Sequence, residues 1–155
     1  MPGRIPHNKQ MFPDRSPILT YSMTLRSRYS ETDKMGVVYH SRYLEYFEVI
    51  RTEFIRAAGL PYAGMEQDGV MLPVARVDIR FKRPIRYDEL MDGQLLIYDE
   101  PTVKLVTYYD IRPAGAPHPS VLGKVELVFV DMATRRPIRV PESFLKKIHD
   151  YATMA

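Results

Sequence analysis

The chain has 155 residues, of which 45% are hydrophobic and 26% are charged, and this is the size and composition of one globular domain with its own core. Its longest apolar runs, such as Leu127–Val130, are too short to cross a bilayer, which excludes a membrane-spanning protein. A net charge of +3 with scattered Lys and Arg residues gives no basic cluster, so we expect no nucleic-acid partner.

The N-terminal segment differs in composition from the rest of the chain. Residues 1–20 contain four of the 13 prolines and little periodicity, so they are predicted to form an extended or disordered arm before a single domain over residues 21–150. The first residues lack the apolar stretch of a secretory signal, and we therefore expect a cytoplasmic protein. From Tyr21 onward, polar and apolar residues alternate with the period of a half-buried strand.

One long helix is predicted from Ser41 to Ala58. Turning about 100° per residue, its apolar residues fall within about 60° of one line; they are Tyr43, Tyr46, Phe47, Ile50, Phe54, Ala57 and Ala58. Ser41 is suited to the N-cap position and Gly59 to the residue after the helix, while Pro61 prevents continuation. One face of this helix is thus expected to be buried against a large surface.

Strand patterns dominate the remaining sequence. Strands are predicted near Val74–Pro84, Gln94–Glu100, Val103–Arg112 and Val121–Asp131, followed by a short helix from Pro141 to Ile148 and no other long one. One helix followed by a run of strands indicates an α+β fold rather than a parallel βαβ sheet. One helix cannot cover both faces of about five strands, so we expect a homo-oligomer to cover the second face.

The junction between the first strand and the long helix carries the most chemical information. Asp33 lies seven residues before His40, and Gly36 allows a tight turn between them. A helix start offers unpaired N–H groups that polarise a carbonyl oxygen, and a nearby carboxylate attacks that carbonyl or activates water. Taken singly, Asp33 is more typical of a turn-forming residue than of a catalyst, and the His40 side chain is more typical of a first-turn polar residue.

The full string around this junction closely resembles the signature of the 4-hydroxybenzoyl-CoA thioesterase family, especially its branch associated with the Tol-Pal system. The matching string reads Asp33-x-x-Gly36-Val37-Val38-Tyr39-His40-x-x-Tyr43-Leu44-x-Tyr46-Phe47-Glu48-x-x-Arg51-x-Glu53. The resemblance implies the hotdog fold, in which a curved antiparallel sheet wraps one long helix. It also implies homodimers or homotetramers with active sites at the subunit boundary.

The resemblance implies roles for particular residues. Asp33 matches the family's catalytic aspartate, a nucleophile or general base, and the backbone N–H that binds the thioester oxygen matches His40. Gly36, Val38 and Tyr39 are then expected beside the substrate. Two rival carboxylates remain: Glu48, whose angle of about 140° from the apolar centre favours pairing with Arg51 or Thr52 instead, and Glu31, interpreted as a strand-end surface residue.

The expected activity is hydrolysis of an acyl-CoA thioester without a cofactor or a metal ion. Coenzyme A carries phosphates, for which the candidate ligands are Arg80, Lys82, Arg83 and Lys104. The founding family member has consecutive basic residues at the hairpin where this chain reads Pro101-Thr102-Val103-Lys104. The alternatives are therefore hydrolysis of acyl groups on an acidic acyl carrier protein, which suits a pI of 9.1, and a non-catalytic binding or scaffold role.

Overall fold

The computed structural model describes residues 10–59 and 62–154 of the chain. Its strands are β1 (Leu19–Arg26), β2 (Val70–Met71), β3 (Val74–Phe81), β4 (Leu90–Ile97), β5 (Lys104–Pro113), β6 (Val121–Val128) and β7 (Val130–Asp131). Its helices are α1 (Arg42–Ala57), α2 (Tyr62–Gln67) and α3 (Glu142–Met154), and a single 3₁₀ turn spans Tyr29–Glu31.

Five of the strands form one antiparallel sheet in the order β1-β4-β5-β6-β3. The strict alternation of β6 places Val121, Val125 and Leu127 on the buried face of this sheet, opposite residues such as Lys124 and Glu126. β3 is an edge strand, and Val74, Val77 and Phe81 leave at least 36% of their surface exposed there. The remaining pair, β2 and β7, forms a small separate sheet.

Helix α1 lies against the buried face of the sheet. Two strand glycines allow this approach, since a Cβ atom at Gly93 or Gly123 would lie within 3.0 Å of Ile50 or Phe47, respectively. The Phe47 ring in turn stacks on Tyr109 of β5, with 4.4 Å between ring centroids. The sheet and the helix therefore bury their apolar faces against each other, and the core lies between them.

The buried face of α1 is rotated relative to its predicted position. Ala57 is exposed, whereas Arg51 and Ile55 are buried. The shift arises because the sheet also covers this side of the helix, where Arg51 donates a hydrogen bond to the Tyr109 hydroxyl at 3.4 Å. The predicted termini of the helix agree well: Ser41 occupies the N-cap position, although its side chain makes no capping bond, and Gly59 follows the helix with φ +81°.

The prediction for the C-terminal helix is wrong in its length. Helix α3 continues six residues past Ile148 and has 13 residues, close to the 16 of α1. Its apolar stripe extends from Phe144 through Ile148 to Tyr151, whose ring packs edge-on against Phe54 at 5.4 Å. The sequence patterns also missed the short helix α2 and the β2–β7 pair.

The N-terminal segment contacts the outer face of the sheet where it is described. The predicted arm covers residues 1–20; residues 1–9 lie outside the described part, and Leu19 and Thr20 already belong to β1. Phe12 packs against Tyr98 and Tyr108, with ring centroids 6.4 and 5.4 Å apart. Part of the cover that the second sheet face requires thus comes from the chain itself.

Candidate active site

A tight loop between β1 and α1 carries Asp33. The Asp33 amide donates to the Val37 carbonyl at 2.8 Å, and the Gly36 amide donates to the Asp33 carbonyl at 3.0 Å. Gly36 has φ +76° with nothing within 4 Å of an added Cβ, so glycine is required there by conformation rather than by space. The loop reverses the chain over four residues and returns it towards the start of the helix.

Hydrogen bonds from the turn hold one oxygen of the Asp33 carboxylate. Oδ1 accepts the backbone N–H of Met35 at 2.8 Å and that of Val37 at 3.3 Å, which makes Asp33 the turn-forming residue that its sequence context also suggested. Within the described residues, Oδ2 has no hydrogen-bond partner. The side chain is half-buried. The two hydrogen bonds of the turn therefore orient the carboxylate, while its second oxygen stays available to react.

The start of α1 provides an amide that is free to bind an oxygen atom. Three nearby amides are occupied: Val38 donates to Ile85 at 2.7 Å, Tyr39 to Glu31 at 2.9 Å and Arg42 to Tyr39 at 2.9 Å, whereas the Ser41 amide, like that of His40, has no acceptor among the described residues. Since the positive end of the helix dipole lies here as well, this position favours an oxygen that carries negative charge.

Asp33 and the helix start line one groove of about 390 Å³. Its lining residues are Asp33, Val38, Tyr39, His40, Tyr43, Phe81, Lys82, Arg83 and Pro84. The rings of Tyr39 and His40 lie 4.1 Å apart, and those of Tyr43 and Phe81 lie 5.8 Å apart, so aromatic side chains form much of the wall. Burial raises the pKa of Tyr43 to about 12, so its hydroxyl remains protonated at neutral pH.

The other predicted ligands lie outside this groove. Gly36 lines an adjoining depression with Asp33 and Tyr87. Arg80 is on the opposite sheet face, near Asp78 and Lys124, because successive strand residues alternate between faces. Lys104 is seven residues, or about 23 Å, along β5 from the row that contains Phe81, and it pairs with Glu126 at 3.6 Å.

The carboxylate of Glu31 is buried, and its interpretation as a surface residue is wrong. Only 4% of the residue is exposed, and its side chain accepts hydrogen bonds from the Arg28 amide at 2.7 Å and the Tyr46 hydroxyl at 2.9 Å. Burial alone would raise the pKa of Glu31, but these bonds and the nearby Arg28 guanidinium hold it below its ordinary value. No local pattern distinguishes it from a surface glutamate.

The rival carboxylate Glu48 is exposed on α1. Its suggested partner Arg51 is buried and bonds to Tyr109. Over the described ranges, no group of three or more His, Asp or Glu side chains could hold a metal ion. In the same residues, no helix has the length and apolar character to cross a membrane.

Comparison with known proteins identifies the family. The profile of the thioesterase-like superfamily matches residues 27–148. The protein YneP of Bacillus subtilis (strain 168), named as a candidate acyl-CoA thioesterase, is 38% identical over 76% of this chain and 84% of its own. The acyl-CoA thioester hydrolase YbgC of Escherichia coli O157:H7 is 28% identical over 78% of this chain and 90% of its own.

A solved structure agrees with the match in sequence. The DHNA-CoA thioesterase from Staphylococcus aureus superposes with a TM-score of 0.77 and 30% identity, over 87% of this chain and 90% of the other. This similarity confirms the hotdog fold expected from the sequence, with its antiparallel sheet around α1. The chain belongs to the thioesterase-like superfamily of hotdog enzymes, which confirms the expected class of thioester hydrolase.

Proposed function

We propose that this protein hydrolyses the thioester of an acyl-CoA to a free acid and CoA, with Asp33 as the reacting carboxylate. The observation that carries the proposal is the shared groove, in which Asp33, with one available carboxylate oxygen, and His40, with an unpaired amide, line one aromatic-walled space. The names of YneP and YbgC support the same reaction class.

The proposed reaction uses two groups of this groove, the Asp33 carboxylate and the His40 amide. The thioester carbonyl oxygen accepts the His40 N–H, which stabilises the negative charge that develops on it. Asp33 Oδ2 then either attacks the carbonyl carbon and expels the CoA thiolate, leaving an anhydride that water cleaves, or takes a proton from the water that attacks. In both routes the thiolate is protonated on departure, and the products are the acid and CoA.

Lys82 and Arg83 are the proposed contacts for the phosphates of coenzyme A. Both line the groove that contains Asp33, and both amides are fixed by the Ser120 carbonyl, at 2.8 and 3.1 Å. Charged donors at the rim of the site suit phosphate groups. Arg80 and Lys104 lie elsewhere in the single chain, and a contribution from them would require a second subunit.

The proposed assembly is a homodimer, with pairing of dimers as the larger alternative. The exposed edge strand β3 offers unpaired backbone groups together with Val74, Val77 and Phe81. Because Phe81 also lines the groove, a partner at this edge would enclose the reacting groups. The finer relationship, to 4-hydroxybenzoyl-CoA thioesterases and the branch associated with Tol-Pal, is likewise proposed, supported by the residue spacing from Asp33 to Glu53.

The test is thiol release from short, long and aromatic acyl-CoAs by wild type and Asp33→Asn, with Glu48→Gln as the matched control. We expect Asp33→Asn to remain folded and lose nearly all turnover, whereas Glu48→Gln retains it because Glu48 is exposed. Full activity of Asp33→Asn would refute the assignment. Turnover restricted to acyl groups on a carrier protein would favour that substrate, and binding without any turnover would favour a non-catalytic role.

A further inference from the structure

Glu31 is a buried carboxylate that the proposed reaction does not use. It ends the 3₁₀ turn, lies two residues before Asp33 and is 4% exposed. A charged carboxylate is rarely buried unless hydrogen bonds compensate the loss of hydration. The neighbours of Glu31 supply such bonds from two separate elements, and this makes the residue a candidate for a role beyond local turn formation.

The side chain of Glu31 connects the end of β1 to the helix. Oε1 accepts both the Arg28 amide at 2.7 Å and the Tyr46 hydroxyl at 2.9 Å, and Oε2 accepts the Arg28 guanidinium at 3.3 Å. Tyr46 belongs to the buried face of α1 and is 3% exposed, so its ring is fixed by the core. The carboxylate therefore ties the segment before Asp33 to a rigid part of the helix.

The backbone of Glu31 connects the same segment to the helix start. Its carbonyl accepts the Tyr39 amide at 2.9 Å, directly before His40, while the Asp33 amide binds Val37 at 2.8 Å and closes the loop. Asp33 and the His40 amide are thus held on the two arms of one short hairpin. The buried anchor of that hairpin to α1 passes through Glu31 and Tyr46, and an exposed one through Arg42, which donates to the Ser30 carbonyl at 3.5 Å.

We infer that Glu31, held by Tyr46, is a positioning residue that fixes Asp33 relative to the His40 amide. The inference rests on the proposed function and deepens it. Both reacting groups need a defined distance from one carbonyl, and a misplacement of about 1 Å is enough to reduce the rate up to about 100-fold. Substrate binding depends on other parts of the groove, so the loss should fall on kcat rather than on KM.

The variants separate the hydrogen bonds from the charge. Glu31→Ala removes the side-chain bonds and keeps the backbone bond to Tyr39. Glu31→Gln keeps an acceptor for the Arg28 amide and the Tyr46 hydroxyl, and Tyr46→Phe removes one bond while keeping the ring. Glu45→Gln is the matched control, because Glu45 is an exposed carboxylate near the same helix end that pairs with Arg42. Rates are normalised to the folded fraction measured by tyrosine near-ultraviolet circular dichroism.

For Glu31→Ala we expect kcat to fall by between about 10- and 100-fold with KM within about twofold of wild type. Glu31→Gln should recover most of that loss, Tyr46→Phe should show an intermediate loss, and Glu45→Gln should match wild type. Equal kcat for wild type, Glu31→Ala and Tyr46→Phe, per folded molecule, would overturn the inference. A parallel rise in KM for these variants would also overturn it, since it would indicate a general loss of the site.

Hydrogen exchange gives a second readout that needs no substrate. Exchange of the Asp33 and Tyr39 amides should accelerate in Glu31→Ala, whereas the amide of Leu95 in β4 should exchange as in wild type. Unchanged exchange at Asp33 and Tyr39 would refute the positioning role even if no acyl-CoA is hydrolysed. Full activity of Asp33→Asn would instead refute the proposed function, so the two failures are distinguishable.

Discussion

The contact between Gly123 and the Phe47 ring gives a quantitative test of how closely α1 packs on the sheet. A Cβ added at Gly123 would lie under 3.0 Å from the ring, whereas ordinary contacts begin near 3.4 Å. The ring and β6 must therefore separate by at least about 0.4 Å in Gly123→Ala. Phe47 cannot simply turn aside, because it is 1% exposed and stacked on Tyr109.

Two opposing effects decide the stability of Gly123→Ala. Replacing glycine reduces the entropy of the unfolded chain and stabilises a compatible site by about 0.4–1 kcal/mol. Overpacking a filled core costs about 1–3 kcal/mol. The clash should win, leaving a net loss of about 1–2 kcal/mol, which for a domain of this size lowers Tm by about 2–8 °C.

Urea unfolding followed by circular dichroism measures this loss. Gly93→Ala is the matched comparison: its nearest neighbours are the terminal Cδ1 atoms of Ile50 and Leu25, at 2.8 and 3.0 Å, which are the far ends of flexible side chains rather than a ring, so we expect a smaller loss. Replacing the ring by a smaller side chain in the double variant Gly123→Ala/Phe47→Leu should relieve the clash. The double variant should therefore lose less free energy of unfolding than the sum of the two single losses. A Gly123→Ala protein as stable as wild type, or more stable, would show that the helix is not held this tightly.

Three further predictions concern titration and the N-terminal segment. The folded-state pKa of Glu31 lies below its ordinary value of 4.5, so its contribution to stability is complete above that pH and is lost as the pH falls below it. Glu31→Gln should therefore weaken the fall of Tm at acidic pH. An unchanged dependence of Tm on acidic pH would contradict this. Tyr43, with a pKa of about 12, should ionise after the exposed tyrosines in an ultraviolet titration, and Tyr43→Phe should reduce this late phase without removing it, because burial and Glu31 also raise the pKa of Tyr46. Phe12→Ala should lower the free energy of unfolding by about 1–2 kcal/mol, because the half-buried ring packs on Tyr98 and Tyr108. Unchanged urea unfolding would mean that this contact does not stabilise the fold.

Several elements could be predicted from sequence because their determinants are local. The extent of α1 follows from its apolar period and from Gly59, whose φ of +81° ends the helix. The turn from Asp33 to Val37 is equally local, since its backbone bonds and its Asx bonds join residues at most four positions apart. These features form through short-range hydrogen bonds and side-chain periodicity, both of which are readable from the order of residues.

The partition of the basic residues was decided by strand register. Lys82 and Arg83 reach the groove because the chain leaves β3 beside Pro84, whereas the alternation of the strand turns Arg80 to the opposite face. The alternating pattern contained the information to separate Arg80 from Phe81. Nothing in it fixed the distance of Lys104, which depends on how β5 is aligned with its neighbours.

Glu31 shows most clearly what tertiary structure alone decided. By itself the sequence determined an α+β domain with one amphipathic helix and a carboxylate in a tight loop before it, since periodicity and turn chemistry act over a few residues. The burial of Glu31 depends on Tyr46, 15 residues away, which meets it only once α1 has packed. A buried charge is stabilised by partners brought from separate elements, and their meeting is a property of the packed fold rather than of any local pattern.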